Sequence, residues 1–521
     1  MIKNFKWLLL VSLTFMACNS DDDVVTVINS SDGKPLTSGS ADFSKYVALG
    51  NSLTSGFSDG ALFIKGQQGA YTNIMADQFK LVGGGEFKIP LMNDNIGGLL
   101  FGGQVNPSFG PRLTFNGSAP VPVSGASTTE VMNAAVAAAG PYNNTGVPGA
   151  KSFHLLSPTY GAAAGLANGT ANPYYVRFAP NGSTSVLAYA MSQTPTSFSL
   201  WIGNNDVLGY ATSGGDGSNP ITPASGAAGV GFDGTYAALI TTLTSAGAKG
   251  VVANIPYVTS IPFFKTVPYN PLTASAIGKG NATQGAALIS ALNAQLYGPL
   301  KQALTAFNAG DRINLLSATA SNPLLIKDES LTDLTLQLTA AFTPSLGAQT
   351  AGFYGKVFGQ ARQAKASDLI LLTTQTAIGT APTAANSGLG VAPPAPVNNF
   401  GITYPLQDKY VLIPTEIAEL EVATNAFNAT IKSLADSKGL AFVDANAIMK
   451  KIDEGGISAD NYTMKSTFVT GGTFSLDGIH PSPRGYAFIA NKFIEAINAK
   501  YGSNLKGVNV GNYPILYPAS L

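Results

Sequence analysis

Short apolar runs that end in glycine or proline alternate along this chain with segments of helical periodicity. The strand-like runs cover residues 46–49, 197–202, 250–256 and 440–443. The helix-like segments cover residues 71–79 and 235–246, the stretch from Pro414 to Gly439, and the stretch that starts at Ser482-Pro483. Strands that alternate with helices favour a parallel sheet with helices on both sides. The sequence therefore predicts an α/β fold.

The other segments indicate how the chain is divided. Residues 83–145 are rich in Gly, Pro and Asn and indicate a long loop, whereas the alternation breaks down in residues 259–410. We interpret 259–410 as one partly helical insertion near the active edge of the sheet; a separate second domain is less favoured because apolar residues look sparse there. The predicted parts are a signal peptide (1–17), a flexible tether (18–40), the first part of the α/β domain (41–258), the insertion (259–410), the second part of the domain (411–502) and a C-terminal extension (503–521).

The N-terminus has the pattern of an export signal. Lys3 and Lys6 precede an apolar stretch of residues 7–15, which is too short to span a bilayer as a mature helix. The stretch ends at Cys18, the only cysteine, in a context that resembles the lipobox of bacterial lipoproteins. The acidic run 21–23 resembles a tether for surface export. We expect lipidation of Cys18 and an outer membrane lipoprotein exposed at the cell surface; the alternative is ordinary cleavage that leaves Cys18 unmodified.

Composition excludes several classes of function. Charged residues make up 11% of the chain, and 29 acidic residues balance 29 basic ones, so no field would attract nucleic acid. One cysteine allows no intramolecular disulfide, and with two histidines it offers no Cys/His cluster for zinc. We therefore expect no metal and no organic cofactor.

Two motifs more than 400 residues apart carry groups suited to nucleophilic catalysis. Ser52 follows the first apolar run in a Gly-Asn-Ser-Leu turn, and Asp477 and His480 lie in Asp-Gly-Ile-His-Pro just before a helix start. The carboxyl ends of parallel strands are where ligands bind in open α/β sheets. Ser52 could attack an ester carbonyl, His480 could take its proton and Asp477 could hold the imidazole. In a strand, residues three positions apart face opposite sides, so Asp477 and His480 could not easily meet. A turn before a helix lets both side chains point in one direction.

Four blocks in one order resemble the SGNH/GDSL hydrolases, which are lipases and esterases with a three-layer α/β/α, flavodoxin-like fold. The blocks are Gly50-Asn51-Ser52-Leu53, Gly146-Val147-Pro148-Gly149, Gly203-Asn204-Asn205-Asp206 and Asp477-Gly478-Ile479-His480. The chain departs from the family pattern at Asn51, where Asp is usual, and at Pro148, where Ser is frequent. The likeness covers about 41–258 and 411–502.

The resemblance assigns roles to these blocks. It implies a catalytic set of Ser52, His480 and Asp477, with an oxyanion hole formed by the Ser52 and Gly149 backbone N–H groups and the Asn205 amide. Gly146 is an alternative to Gly149 as backbone donor, and Asn205 could instead cap the turn that follows it. 

Three further polar residues are expected to have no part in catalysis. We expect His154, the other histidine, and Asp206 to be structural, and Asp59 to lie on the solvated surface.

The sequence leaves several functions open. The first hypothesis is a surface-anchored serine esterase or lipase that hydrolyses carboxylic esters, and its substrate would be an acylated lipid or an O-acylated glycan, as for a carbohydrate O-acetyl esterase of the same fold. A second hypothesis is a non-catalytic surface binding protein. A third is an accessory lipoprotein that partners an outer-membrane transporter. Fold analogy alone does not decide between them.

Overall fold

The computed structural model describes residues 30–521, and its strands form one central sheet and several two-stranded ribbons. The predicted signal segment, Cys18 and the acidic run 21–23 lie outside the described residues. The strands are β1 (Tyr46–Gly50), β2 (Leu100–Phe101), β3 (Gln104–Val105), β4 (Leu113–Phe115), β5 (Pro120–Pro122), β6 (Asn144–Gly146), β7 (Ser197–Trp201), β8 (Lys249–Ala253), β9 (Leu325–Lys327), β10 (Ala361–Gln363), β11 (Leu369–Ile370), β12 (Val411–Leu412), β13 (Ala441–Val443), β14 (Ile457–Ala459) and β15 (Tyr462–Met464).

The central sheet has five parallel strands in the order β13-β8-β7-β1-β6. Counted among these strands alone, the order is 2-1-3-4-5, which is a doubly wound arrangement. Leu49 of β1 pairs with Thr145 of β6 on one side and with Leu200 of β7 on the other. Because the chain winds in opposite directions from β1, the crevice at the carboxyl ends of β1 and β7 is the switch point where ligands bind in such sheets.

Helices flank the sheet in two groups. The helices are α1 (Ser52–Ser55), α2 (Ile64–Gln68), α3 (Tyr71–Lys80), α4 (Ala134–Ala138), α5 (Pro173–Val176), α6 (Val186–Met191), α7 (Asn204–Thr212), α8 (Phe232–Leu243), α9 (Pro262–Lys265), α10 (Ala274–Ile277), α11 (Ala282–Leu292), α12 (Gly298–Ala306), α13 (Thr335–Phe358, interrupted at Gly347), α14 (Pro414–Ser437), α15 (Ala445–Glu454) and α16 (Pro483–Tyr501). In one group α3 and α16 enclose Trp201 of β7, whose ring lies 5.8 Å from Tyr71 and 5.7 Å from Phe493. In the other, α8 packs on α14 through Phe232 and Phe427, whose rings stack at 4.1 Å.

The predicted α/β alternation is present, and the central sheet contains one strand that the sequence did not indicate. β1, β7, β8 and β13 coincide with the four predicted runs to within a few residues. β6 lies at the end of the stretch that the sequence presented as loop. This strand is polar and only three residues long, and the Asn144 amide anchors it by donating to the Thr54 carbonyl at 2.8 Å.

The insertion has a hydrophobic core of its own, contrary to the expectation that its apolar residues were too sparse. A separate cluster of buried side chains runs from Val267 to Ile413. Beside it, Arg362 donates to Asp328 at 2.5 Å and to both oxygens of Asp368 at 2.6 and 2.7 Å, so that all three buried charges are paired. Buried charges persist where they are paired in this way.

Both ends of the described chain pack on the α/β domain. The stretch 30–40, expected to be part of a flexible tether, runs beside residues 501–505: the Ser31 N–H donates to the Asn504 carbonyl at 2.9 Å and the Ser40 N–H to the Tyr501 carbonyl at 2.8 Å. In the C-terminal extension, Arg112 donates to the Pro518 carbonyl at 2.7 Å. In the described part of the chain, no helix combines the length and the apolar character needed to cross a membrane.

Candidate active site

Ser52 is the first residue of α1, at the carboxyl end of β1. Asn51 caps this helix, because its side-chain oxygen accepts the Leu53 N–H at 3.0 Å. A side chain at Gly50 would collide with the Trp201 carbonyl of the neighbouring strand, so glycine permits the close approach at this turn. The Ser52 side chain is thereby held at the switch point of the sheet.

The loop before α16 presents Asp477 and His480 toward Ser52. Gly478 adopts a left-handed conformation (φ 72°), and its N–H donates to the Ser475 carbonyl at 3.0 Å, which closes a turn. The His480 Nε2 atom lies 2.9 Å from Ser52 Oγ, and its Nδ1 atom lies 2.7 Å from Asp477 Oδ2. The structure thus brings together the three residues that the sequence predicted, in the order nucleophile, imidazole, carboxylate that hydroxyl activation requires.

The Asp477 carboxylate is held in its charged form. Its Oδ1 atom accepts the N–H groups of Ile479 and His480, each at 2.9 Å, and its Oδ2 atom accepts the Gly60 N–H at 2.9 Å. Burial alone would raise the pKa of this carboxyl, but the His480 charge and these hydrogen bonds outweigh burial and lower the pKa to about 2. A fixed carboxylate on Nδ1 leaves Nε2 free to accept the Ser52 proton.

Gly149 and Asn205 flank Ser52 at the ends of the neighbouring strands. The Val147 N–H donates to the Gly50 carbonyl at 3.0 Å, and a turn closed by Ala150 N–H on the Val147 carbonyl at 3.1 Å follows. Gly149 has φ 80° in that turn, as the second central residue of a type II turn requires. Among the hydrogen bonds of residues 30–521, neither the Ser52 nor the Gly149 N–H finds an acceptor. Both groups are therefore available to an anion.

The sequence left two questions about the predicted oxyanion hole: whether Gly146 or Gly149 is the backbone donor, and whether Asn205 is a donor or a cap. The hydrogen bonds of these residues bear on both questions. The Gly146 N–H is already used, because it donates to Asn144 Oδ1 at 2.9 Å. The Asn205 amide nitrogen donates to the Ala150 carbonyl at 2.9 Å, which orients the amide and leaves its second N–H unused. Asn205 lines the same cavity as Ser52.

His154 and Asp206 have structural surroundings, as expected. The His154 Nδ1 atom accepts the Lys151 N–H at 3.0 Å, and burial together with the Lys151 charge lowers its pKa to about 4. Asp206 is buried and accepts the N–H and hydroxyl of Ser152 at 2.8 and 2.7 Å. Neither residue reaches the Ser52–His480 pair through a hydrogen bond.

The expectation that Asp59 lies on the surface is wrong. Its side chain is 1% exposed, its Oδ1 atom accepts the Leu476 N–H at 2.9 Å, and its own N–H donates to Ser475 Oγ at 3.0 Å. Ser475 in turn donates to Asp477 Oδ1 at 3.0 Å. Asp59 thus holds the loop 475–477, which carries Asp477, through hydrogen bonds. No local pattern in the sequence indicated this role.

The immediate surroundings of the pair are apolar. The Phe57 ring centre lies 4.6 Å from that of His480, and the cavity in front of Ser52 is lined mainly by aliphatic and aromatic side chains. Within residues 30–521, no three His, Cys, Asp or Glu side chains are placed to hold a metal ion. Comparison with protein-family profiles, with curated proteins and with solved structures gives no match to the chain.

Proposed function

We propose that the protein is a serine hydrolase of the SGNH/GDSL type that cleaves carboxylic esters. The observation that carries this proposal is the continuous chain of contacts from Ser52 Oγ to His480 Nε2 at 2.9 Å and from His480 Nδ1 to Asp477 at 2.7 Å. The strand order 2-1-3-4-5, which is that of flavodoxin-like folds, supports the same assignment. So do the four motifs, three of which lie at the ends of β1, β6 and β7 and one just before α16.

The first half of the proposed reaction forms an acyl-enzyme. Ser52 Oγ attacks the ester carbonyl carbon while His480 Nε2 takes the hydroxyl proton. Asp477 stabilises the imidazolium without taking a proton itself, in keeping with its lowered pKa. The tetrahedral intermediate then collapses, the carbon–oxygen bond to the alcohol breaks, and His480 returns the proton to the leaving alcohol.

The second half releases the acid. Water takes the place of the alcohol, His480 accepts a proton from it, and the resulting hydroxide attacks the acyl carbon. Collapse of this second intermediate breaks the bond to Ser52 Oγ, which regains its proton from His480. In both halves the negative oxygen would receive the Ser52 and Gly149 N–H groups and the second N–H of Asn205.

The location of the enzyme is part of the same proposal. A lipid on Cys18 would hold the protein at the outer membrane, and the acidic run 21–23 would direct it to the cell surface. Within this setting, an O-acetyl esterase for a surface glycan and a transporter-associated accessory lipoprotein stay as alternatives. The intact Ser52–His480 contact disfavours a purely binding role.

A fluorophosphonate probe tests the proposal, because only an activated hydroxyl reacts rapidly with such a reagent. We expect labelling of the wild type at Ser52 and loss of labelling in Ser52→Ala. Ser437→Ala, which removes an exposed hydroxyl at the end of α14, should be labelled like the wild type. A folded wild-type protein that does not react would point to a binding protein instead.

A further inference from the structure

A second cavity lies where the insertion meets the α/β domain. It holds about 460 Å³, which is within the range of pockets for small ligands. Its walls are Lys327 at the end of β9, residues at both ends of α13, residues of the loops 385–389 and 404–409, and Asp216 of the loop that follows α7. We call it the insertion pocket. It shares no lining residue with the cavity at Ser52, so it is a separate place for a ligand.

The insertion pocket is charged, although the chain as a whole has few charges. Charged residues make up 11% of the chain, yet three lysines and two aspartates line this one cavity: Lys327, Lys356, Lys409, Asp216 and Asp408. The other lining residues include the amide side chains of Asn386 and Gln407 and the hydroxyl side chains of Thr335 and Ser387. Such a lining suits a ligand that carries charge and several hydrogen-bonding groups.

Two of the lysines have no charged partner. Within residues 30–521, neither Lys356 nor Lys409 takes part in an ion pair. The third lysine, Lys327, has its Nζ atom 3.7 Å from Asp408 Oδ1, which is too long for a hydrogen bond. That Asp408 oxygen has no hydrogen-bond partner in the part of the chain that the structure describes. An ammonium group without a partner can donate to a bound anion.

The walls of the insertion pocket are held by hydrogen bonds of their own. The Tyr404 hydroxyl donates to the Ser387 carbonyl at 2.6 Å, and the Leu389 N–H donates to Ser387 Oγ at 3.1 Å. On the side of the α/β domain, a side chain at Gly214 would collide with the Asp408 carbonyl, so the loop after α7 lies directly against the insertion. A preformed pocket of this kind needs little ordering when a ligand binds.

The lining favours an acidic sugar over other small ligands. The lysines can bind a carboxylate, while Asp216 and Asp408 can accept hydrogen bonds from sugar hydroxyls. The same two carboxylates would repel a small inorganic anion, which would also fill little of the cavity. A hydrocarbon chain would bury the charges of the wall without pairing them.

We propose that the insertion pocket binds a carboxylated sugar of about the size of a disaccharide. Lys356 and Lys409 bind the sugar carboxylate, and Asp216 and Asp408 accept hydrogen bonds from its hydroxyls. The site attaches the protein to an acidic glycan, whichever ester Ser52 cleaves. The inference does not depend on ester hydrolysis, because no residue of the proposed catalytic set lines the insertion pocket.

Calorimetric titration of the purified protein with digalacturonate tests the proposal. Galabiose has the same sugar rings without the carboxylates, and it should bind at least about tenfold more weakly, the worth of one charge-assisted hydrogen bond. Inorganic phosphate, an anion without a sugar, should likewise bind at least about tenfold more weakly than digalacturonate. Equal binding of galabiose or of phosphate would overturn the proposal, and so would the absence of digalacturonate binding at millimolar concentrations.

Lysine variants locate the binding site. Lys356 and Lys409 are exposed, so their replacement should leave the melting temperature unchanged. Lys356→Gln and Lys409→Gln should each weaken digalacturonate binding at least about tenfold, because each removes one charged donor. Lys438→Gln is the matched control: Lys438 is exposed at the end of α14 and does not line the pocket, so this variant should bind like the wild type.

Two results with these variants would contradict the assignment. Unchanged affinity in either pocket variant would place the sugar elsewhere, and an equal loss in Lys438→Gln would show only an effect of net charge. Either result would overturn the proposal. No ester takes part in these titrations, so their outcome is separate from that of fluorophosphonate labelling.

Discussion

Replacement of Asp59 by Asn should change how the stability of the protein depends on pH. Asp59 is buried with its Oδ2 atom unpartnered within the described structure, and it lies near Asp477, Arg112 and His480. Burial raises its pKa from 3.8 to about 7; the Leu476 hydrogen bond and the Arg112 charge oppose this rise without cancelling it. Asn keeps an oxygen for the Leu476 N–H and removes the titrating proton.

The magnitude follows from proton linkage. Because the pKa of Asp59 is higher in the folded than in the unfolded state, its contribution to stability is fully present below about pH 4 and is lost as the pH rises through 7. Between pH 5 and pH 9 this loss amounts to about 3 kcal/mol. The Asp59→Asn variant lacks the titration, so its free energy of unfolding should gain about 3 kcal/mol relative to the wild type over this interval.

Urea denaturation followed by tryptophan fluorescence measures this gain, because Trp201 lies in the central sheet beside the site. The quantity to compare is the difference in free energy of unfolding between variant and wild type at pH 9, minus the same difference at pH 5. Constant effects of the substitution cancel in this quantity. Asp77→Asn, which removes an exposed carboxylate on α3, controls for net charge and should show no such gain. A gain below about 1 kcal/mol for Asp59→Asn would refute the linkage argument.

Three other predictions concern the catalytic groups and the anchor. Ser52→Ala and His480→Ala should each lower kcat on the order of 10⁴-fold or more, and the double variant should lose little beyond that; additive losses in ester kinetics would show that the two do not act as a unit. Asn205→Ala should lower kcat about 10²–10³-fold at nearly unchanged KM and melting temperature, and a loss of stability with normal turnover per folded molecule would make Asn205 a structural cap. Cys18→Ser should abolish incorporation of labelled fatty acid and release the protein from the membrane fraction, while persistent membrane association would argue against the lipid anchor.

Local turn chemistry made the Ser52–His480–Asp477 arrangement predictable. The Gly-x-Ser turn after β1 and the Asp-x-x-His turn before α16 depend on contacts between residues close in sequence, as the Asn51 cap of α1 and the Gly478 turn show. Periodicity likewise indicated β1, β7, β8 and β13, because each is an apolar run bounded by turn residues.

Long-range contacts account for what the sequence did not reveal. Asp59 looked like a surface residue because its partner, the Leu476 N–H, lies 417 positions later in the chain. β6 is a polar tripeptide that becomes a strand only by pairing with β1. The second core consists of apolar residues dispersed over 267–413. A short stretch of sequence does not reveal that residues so far apart in the chain pack together.

In the proposed mechanism the nucleophile lies near one end of the chain and the base near the other. This separation determines when the proposed activity can arise during synthesis. Ser52 and His480 are 428 residues apart, and the hydrogen bonds from Asp59 and Gly60 to the loop 475–477 form only once that loop exists. A ribosome-bound chain that stops short of residue 477 therefore carries a serine with no base to activate it. Until the last tenth of the protein has been translated, an unfinished copy therefore cannot carry out the proposed ester hydrolysis.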